Sequence, residues 1–380
     1  MSLQKYLASK PLYYEHIDYK RMPRIFGEIS GNFKFPKIIH VVGTNGKGSI
    51  GRYLANMLEL ASFKTGHYTS PHILEFNERI YKNGNTISND ELEFLHVRLL
   101  GILKDYEKEL SYFEYTTLLA FLYFEDCDYA VLEAGVGGEF DATNVAPKIL
   151  SVISPISIDH QELLGNSIKE IAFTKLQSVN NPAIISCQKH KETLEVIKQR
   201  EAICGFGFLY VDENEKDEEV EKYAKNFSLP PFLKQNLLTA FKAAKFLGVF
   251  PNLAKLKALN LRARCEKIAS NITLDVGHNI DAAKALAEYF SNKKIVLVYN
   301  SYKDKNYAEV LNILQPIAKR IELIDIINPI RQNAKKDIEK LLNSLHVEYK
   351  NYERVNENDE YLVFGSFGVI ESFLKSMNEG

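Results

Sequence analysis

The residues best equipped for chemistry lie at 43–49, where Gly43-Thr44-Asn45-Gly46-Lys47-Gly48-Ser49 follows an apolar run and opens an amphipathic one. Glycines let backbone N–H groups approach phosphate oxygens, and a helix N-terminus adds positive potential. A lysine there reaches the outer phosphates of a nucleotide, and a serine hydroxyl can ligate Mg²⁺. The spacing is not the common Walker pattern, since only two residues separate Gly43 from Gly46-Lys47 and Gly48 intervenes before Ser49. A plain glycine turn would need neither the lysine nor the serine, so phosphate binding is the stronger reading. Acidic residues stand where an open parallel sheet places its ligands, just past the carboxyl ends of strands: Glu133 after Tyr129–Leu132, and Asp159 with His160 after SVISPISI. Glu133 facing a phosphate loop is a natural magnesium ligand. His160 taken alone reads as a structural hydrogen-bonding residue, because magnesium prefers oxygen.

Positioning these groups requires strands joined by crossover helices, and short Val/Ile-rich runs do alternate with longer amphipathic stretches. This pattern predicts an α/β fold. In the first half, strands are expected at Lys37–Val42, Tyr129–Leu132, Ile149–Ile158 and Ala183–Ser186, all in one sheet. Helices are expected from Ser49 onward, with Ile50, Tyr53, Leu54, Met57 and Leu58 on one face, and at Thr116–Phe124. The charge-rich stretch 211–226 reads as a solvated loop or surface helix. A helix is expected over Pro231–Leu247, and GVFPNLAKLKALN reads as the connection to a second, smaller α/β domain. There the expected elements are strands Ile272–Asp275, Ile295–Tyr299, Ile321–Ile326 and Tyr361–Phe364, with helices Ala282–Phe290 and a last one ending at Met377.

Composition bounds the function. At 380 residues the chain is long for one core and comfortable for two. Nearly half of it, 46%, is apolar and 25% is charged, the profile of a globular enzyme rather than a disordered chain. The net charge of -2 gives no field for nucleic acid or anionic lipid, so an anionic ligand must be held locally. Cys127, Cys187, Cys204 and Cys265 lie far apart with no C-x-x-C pair, which suggests neither zinc nor a disulfide framework and fits a reducing cytoplasm. No unbroken apolar leader or membrane-length segment is present, so neither export nor a membrane anchor is expected.

Taken in order, the blocks resemble the folylpolyglutamate synthase/dihydrofolate synthase family of the Mur ligase superfamily. IHVVGTNGKGS resembles its phosphate loop, YTSPHILEFNERI its folate-side loop, and LEAGVGGEFDATN with DHQELLGNSIKEIAFTK its metal-binding blocks. In the second half the matches are RCE at Arg264–Glu266, DVGHN at Asp275–Asn279, Asp304-Lys305 and FGSF at Phe364–Phe367. Three departures affect turns more than charge: Arg262-Ala263 replaces a proline-glycine pair, Ile280 a proline, and Asn306 an aspartate.

The resemblance implies a P-loop-containing, Mur-ligase-like central domain with a parallel-type sheet over 1–260 and a Rossmann-like C-terminal glutamate-ligase domain over 261–380. It implies ATP at Gly43, Thr44, Asn45, Gly46, Lys47, Gly48 and Ser49, with Asn236 on the adenine side and Arg264, Asp275 and His278 closing over ATP and the incoming glutamate. Ser49, Glu133 and His160 would hold magnesium, as two ions. Lys175 falls on a lysine often carbamylated in the family, although its neighbours Thr174, Leu176 and Gln177 depart from the usual Glu-Lys-Ala-Gly. Ser70, His72, Arg79 and Ser366 become candidate substrate contacts. The implied reaction joins L-glutamate to dihydropteroate or a folate through an acyl phosphate, in a cytoplasmic monomer using neither nucleic acid nor membrane. A peptidoglycan-type ligase is disfavoured because the phosphate loop begins at Gly43, leaving no room for an additional N-terminal substrate domain. A non-catalytic nucleotide switch would need the phosphate loop but not Arg264, Asp275 and His278.

Overall fold

In the first sheet a central strand, β1 (Lys37–Val42), is buried along all but its first residue, which requires cover on both faces. One cover is the helix Lys47–Leu60, which presents Ile50, Tyr53, Leu54, Met57 and Leu58, all fully buried. The computed structural model describes residues 1–10, 18–328 and 330–378. They form two compact units, Met1–Ile156 with His160–Phe227 and Leu233–Leu259, and Ser157–Asp159 with Ser228–Phe232 and Asn260–Gly380.

The first unit adds β2 (Thr65–Tyr68), β3 (Ile80–Lys82), β4 (Asn85–Thr86), β5 (Tyr129–Glu133), β6 (Lys148–Ile153), β7 (Ala183–Ile185) and β8 (Phe208–Tyr210). Their order is β4-β3-β2-β5-β1-β6-β7-β8. The sheet is parallel from β2 to β8, and β3 and β4 join its edge as antiparallel strands. The second unit contains β9 (Glu266–Ala269), β10 (Ile272–Asp275), β11 (Ile295–Tyr299), β12 (Ala318–Leu323), β13 (Tyr349–Asn351) and β14 (Tyr361–Phe364), ordered β13-β12-β11-β14-β10-β9 with only β9 antiparallel. Both are α/β sheets, so the expected fold class stands. Among the described residues no helix is long and apolar enough to cross a membrane.

Several boundaries move, for identifiable reasons. The phosphate-loop helix starts at Lys47 rather than Ser49, because Gly46 takes left-handed backbone (φ 83°) and serves as N-cap. The helix expected at Thr116 starts at Tyr112, where Ser111 and Glu114 form a reciprocal capping box. Strand β6 stops at Ile153 instead of Ile158, since Pro155 has no N–H to offer a ladder. Strand β12 runs Ala318–Leu323, where Ile321–Ile326 was expected. The charged stretch contains a surface helix, Glu218–Asn226, whose Val220, Tyr223 and Ala224 are buried.

The turn after β1 passes very close to the end of β6. Gly43 has φ 146°, and a Cβ there would lie 2.1 Å from Ser154 Oγ and 2.7 Å from the Ser154 carbonyl oxygen. Because one obstacle is backbone, rotamer change cannot relieve the overlap. Gly43→Ala is therefore expected to destabilise the protein by about 3 kcal/mol or more, read as a lowered urea midpoint at unchanged m-value.

Candidate active site

Parallel register brings the chemical groups of the first unit together. Val41 is paired with Glu133 across β1 and β5, so the carboxylate emerges beside the start of the glycine turn. Lys47 Nζ lies 3.9 Å from Glu133 Oε1 and donates to the Thr44 carbonyl at 3.2 Å. Glu133 is buried, and it accepts from the Thr69 hydroxyl and, at 3.4 Å, from the Ser70 N–H. The carboxylate, the phosphate-loop lysine and the first residues of the Ser70–Arg79 segment thus share one place. Ser49 sits in the first turn of its helix and is almost wholly buried.

The backbone of the turn divides its work. The N–H groups of Thr44 and Asn45 both donate to the Pro155 carbonyl at 3.0 Å, so they tether the turn to the segment after β6 rather than facing a phosphate. A phosphate cradle must therefore come from the helix N-terminus at Gly46–Ser49, since the first N–H groups of a helix have no acceptor within it. A Cβ on Gly46 would lie 2.7 Å from Asn236 Oδ1, which places the Asn236 side chain directly against the turn.

His160 is exposed, in left-handed backbone (φ 51°), as N-cap of the short helix Gln161–Leu164. Lys175 is buried near the end of the helix Ile168–Leu176, and Gly138 packs so closely there that a Cβ would lie 2.3 Å from the Lys175 carbonyl oxygen. Among the described residues no group of three or more His, Cys, Asp or Glu side chains is arranged to hold a metal. The hydroxyl of Ser49 and the carboxylate of Glu133 nevertheless offer the hard oxygen donors that magnesium takes.

The Ser70–Arg79 segment is built inward rather than as an exposed loop. Arg79 is buried, donates from Nε to His72 Nδ1 at 2.7 Å, and lies 5.3 Å from the Tyr112 ring centre. Burial first and the Arg79 charge second push His72 down to about 4, so the imidazole is neutral, with Nδ1 as acceptor and Nε2–H as donor. Glu78 ties the segment together by accepting from the N–H groups of Ile73, Leu74 and Glu75.

In the second unit, Asp275 ends β10 beside Phe364 at the end of β14. Its Oδ1 accepts from Gly277 N at 2.8 Å and its Oδ2 from Cys265 N at 2.9 Å, so both oxygens hold turns. Burial raises its carboxyl above the ordinary range, against the opposing pull of those N–H groups and of Arg264. Arg264 lies 5.2 Å from the centre of the Phe367 ring. Ser366 is buried, and its hydroxyl accepts from Val369 N at 3.3 Å, capping the last helix. His278 Nδ1 is 3.1 Å from the Val276 carbonyl and Nε2 is 3.1 Å from Asp159 Oδ2, while Lys305 donates to the other Asp159 oxygen.

Known proteins decide what this arrangement belongs to. No protein-family model matches the chain. The dihydrofolate synthase/folylpolyglutamate synthase of Bacillus subtilis is 31% identical over 364 residues, covering 84% of this chain and 83% of that one. The chain belongs to the dihydrofolate synthase/folylpolyglutamate synthase family. It is accordingly an ATP-dependent ligase. The crystal structure of Helicobacter pylori folylpolyglutamate synthetase superposes with a TM-score of 0.81 at 39% identity, over 100% of this chain and 98% of that one. The bifunctional Yersinia pestis enzyme complexed with AMPPNP and Mn ion shares the fold, with a TM-score of 0.82 at 22% identity over 99% and 97%.

Within this folate-ligase family fold, the residues overlooked in the sequence are those that act through tertiary contact. Thr69, which donates to Glu133, directly precedes the Ser70-Pro71-His72 block and carried no signal of its own. His40, Thr143 and Asp141 lie inside the matched blocks without any role of their own there; His40 Nε2 is 2.8 Å from Thr143 Oγ1. Burial first and the Lys148 charge second push His40 down to about 3. An unfolded histidine titrates near 6.5, so between about pH 6.5 and 3 the unfolded chain binds a proton that the folded chain refuses, and stability falls as pH falls through that window. Between pH 6.5 and 5 the wild type should lose about 1 to 2 kcal/mol more than His40→Gln, measured by urea unfolding at each pH.

Proposed function

We propose that this ligase joins the amine of L-glutamate to the carboxylate of dihydropteroate, and to the terminal carboxylate of a reduced folate, with ATP converted to ADP and phosphate. The observation that carries this reading is the meeting of Lys47, Glu133 and Thr69–Ser70. It sets a phosphate-binding lysine, an oxygen ligand for a cation and the beginning of a substrate-side segment around one point.

In the reaction, a carboxylate oxygen of the pterin substrate attacks the γ-phosphorus of ATP, and ADP leaves. The glutamate amine then attacks the acyl carbon to form the C–N bond, the acyl C–O bond breaks with its electron pair leaving on phosphate, and the nitrogen loses a proton. Anion must approach anion in the first step, so fixed positive charge is the main requirement. Lys47 and the N–H groups of Gly46–Ser49 supply it to the phosphates, and Asn236 lies against the turn on the adenine side. Ser49, Glu133 and His160 would hold two magnesium ions; magnesium, when bound, offsets the negative charge of the phosphoryl oxygens. A carbamylated Lys175 would add an anionic group toward that site. Ser70, the neutral His72 and Arg79 would contact the pterin substrate, His72 as a donor from Nε2. Residues 1–260 act as the ATP-binding domain with the folate-side loop. Residues 261–380 act as the glutamate-ligase domain, in which Arg264, Asp275, His278 and Ser366 serve the nucleotide and the incoming glutamate, Asp275 and Ser366 by holding backbone turns. The enzyme works as a cytoplasmic monomer, without nucleic acid or membrane.

Lys47→Ala and Ser49→Ala are each expected to lower glutamate-dependent ADP release at least about a hundredfold while leaving the thermal unfolding midpoint near wild type. Near-normal turnover of either variant at saturating Mg²⁺ would remove the phosphate-loop assignment. For substrate range, radiolabelled glutamate should be incorporated with both dihydropteroate and tetrahydrofolate. Incorporation with only one of them would contradict bifunctionality, and incorporation with neither would contradict the folate reading.

A further inference from the structure

The segment that follows Glu133 is tied down by a buried chain of hydrogen bonds beginning in β1. Asp141 Oδ2 accepts from Gly135 N at 2.8 Å and Val136 N at 3.1 Å, the amides two and three residues past Glu133. Asp141 Oδ1 accepts from Thr143 N at 3.0 Å and from the Thr143 hydroxyl at 2.6 Å. A hydroxyl has one proton, and here it points to the carboxylate, so toward His40 the Thr143 oxygen is an acceptor. The hydrogen bond of 2.8 Å between them therefore uses an Nε2–H on His40. That tautomer leaves Nδ1 unprotonated, and Nδ1 is buried without a hydrogen-bond partner. His40 lies three residues before Gly43, on the strand that delivers the phosphate loop.

The far side of the same segment is anchored too. Lys148 donates from Nζ to Asn144 Oδ1 and to the Ser178 carbonyl, and Asn144 donates to the Glu139 carbonyl at 2.7 Å. Burial lowers Lys148 to about 8. The segment is thus held between β1 and the end of the Lys175 helix, and its internal connector is Asp141.

We propose that His40, Thr143 and Asp141 form a positioning relay that fixes the loop after Glu133 relative to the phosphate loop, and so sets how tightly the nucleotide-bound divalent cation is held. The inference rests on the reading of Glu133 as a cation ligand. Removing a group that orients a ligand characteristically weakens metal binding by 10- to 100-fold. A side chain that only stabilises the fold would lower the melting temperature and leave cation affinity alone.

Thr143→Val keeps the shape of the side chain and deletes the hydroxyl, whereas Thr143→Ser keeps the hydroxyl. Mn²⁺ binding in the presence of saturating ADP, read from the electron paramagnetic resonance signal of free Mn²⁺, needs no turnover. Thr143→Val should weaken it about tenfold and speed amide hydrogen exchange at Gly135 and Val136, and Thr143→Ser should restore both. If Thr143→Val fails to fold, His40→Leu, which deletes the Nε2–H donor, takes its place: a weakened Mn²⁺ titration supports the relay and an unaltered one overturns it. Glu133→Gln separates the two readings. Weak Mn²⁺ binding in Glu133→Gln beside wild-type binding in Thr143→Val overturns the relay alone, and wild-type binding in Glu133→Gln overturns the ligand reading and the relay with it.

Discussion

The close approach of backbone to backbone at the glycine turn is the constraint on which the rest of the site depends. Gly43 must pass within contact distance of Ser154, and the next two N–H groups must reach the Pro155 carbonyl. The first condition excludes a side chain at Gly43. The second also explains why β6 gives up its ladder at Ile153: Pro155 cannot donate, but its carbonyl is free to accept twice. With the turn tethered on that side, the helix begins at Lys47, just past the carboxyl end of β1, which is where a parallel sheet offers a ligand room.

The opposite side of the turn is set by β5. Because β1 and β5 run parallel with Val41 opposite Glu133, the carboxylate and the lysine meet without any long loop having to find its place. Glu133 and Asp275 then show two uses of a buried acid at a strand end. Asp275 spends both oxygens on backbone N–H groups and so organises turns. Glu133 is held chiefly by the Thr69 hydroxyl and faces Lys47, so it keeps lone pairs that no backbone N–H group takes up, as the proposed cation site requires.

Much of this was legible in the amino-acid sequence, because it depends on local pattern. The apolar run of β1 and the glycine turn with Lys47 read as strand, turn and following helix, although the helix starts at Lys47, two residues before the expected Ser49. The helix expected from Thr116 starts four residues earlier, at Tyr112, where Ser111 and Glu114 cap it. What escaped was short or tertiary. Strands β3, β4 and β8 have two or three residues each and too little periodicity to register. The tethering of Thr44 and Asn45 by Pro155, the cap made by Ser366 and the His40–Thr143–Asp141 chain join residues far apart in sequence, or depend on which way one hydroxyl points. Ala263 illustrates a departure that the fold absorbs: it stands where the family resemblance calls for glycine and adopts φ 51°. That conformation costs roughly 1 to 2 kcal/mol for a residue with a Cβ, and the full burial of its methyl group offsets part of it.

The central claim is that a pterin-linked carboxylate is activated by phosphorylation before glutamate arrives. It is tested most directly by isotope transfer. Dihydropteroate carrying ¹⁸O in its carboxylate, incubated with enzyme, ATP, Mg²⁺ and glutamate, should deliver one ¹⁸O atom to each inorganic phosphate released, because the acyl phosphate breaks at its carbonyl carbon. Phosphate containing only ordinary oxygen, formed alongside the glutamylated product, would contradict it.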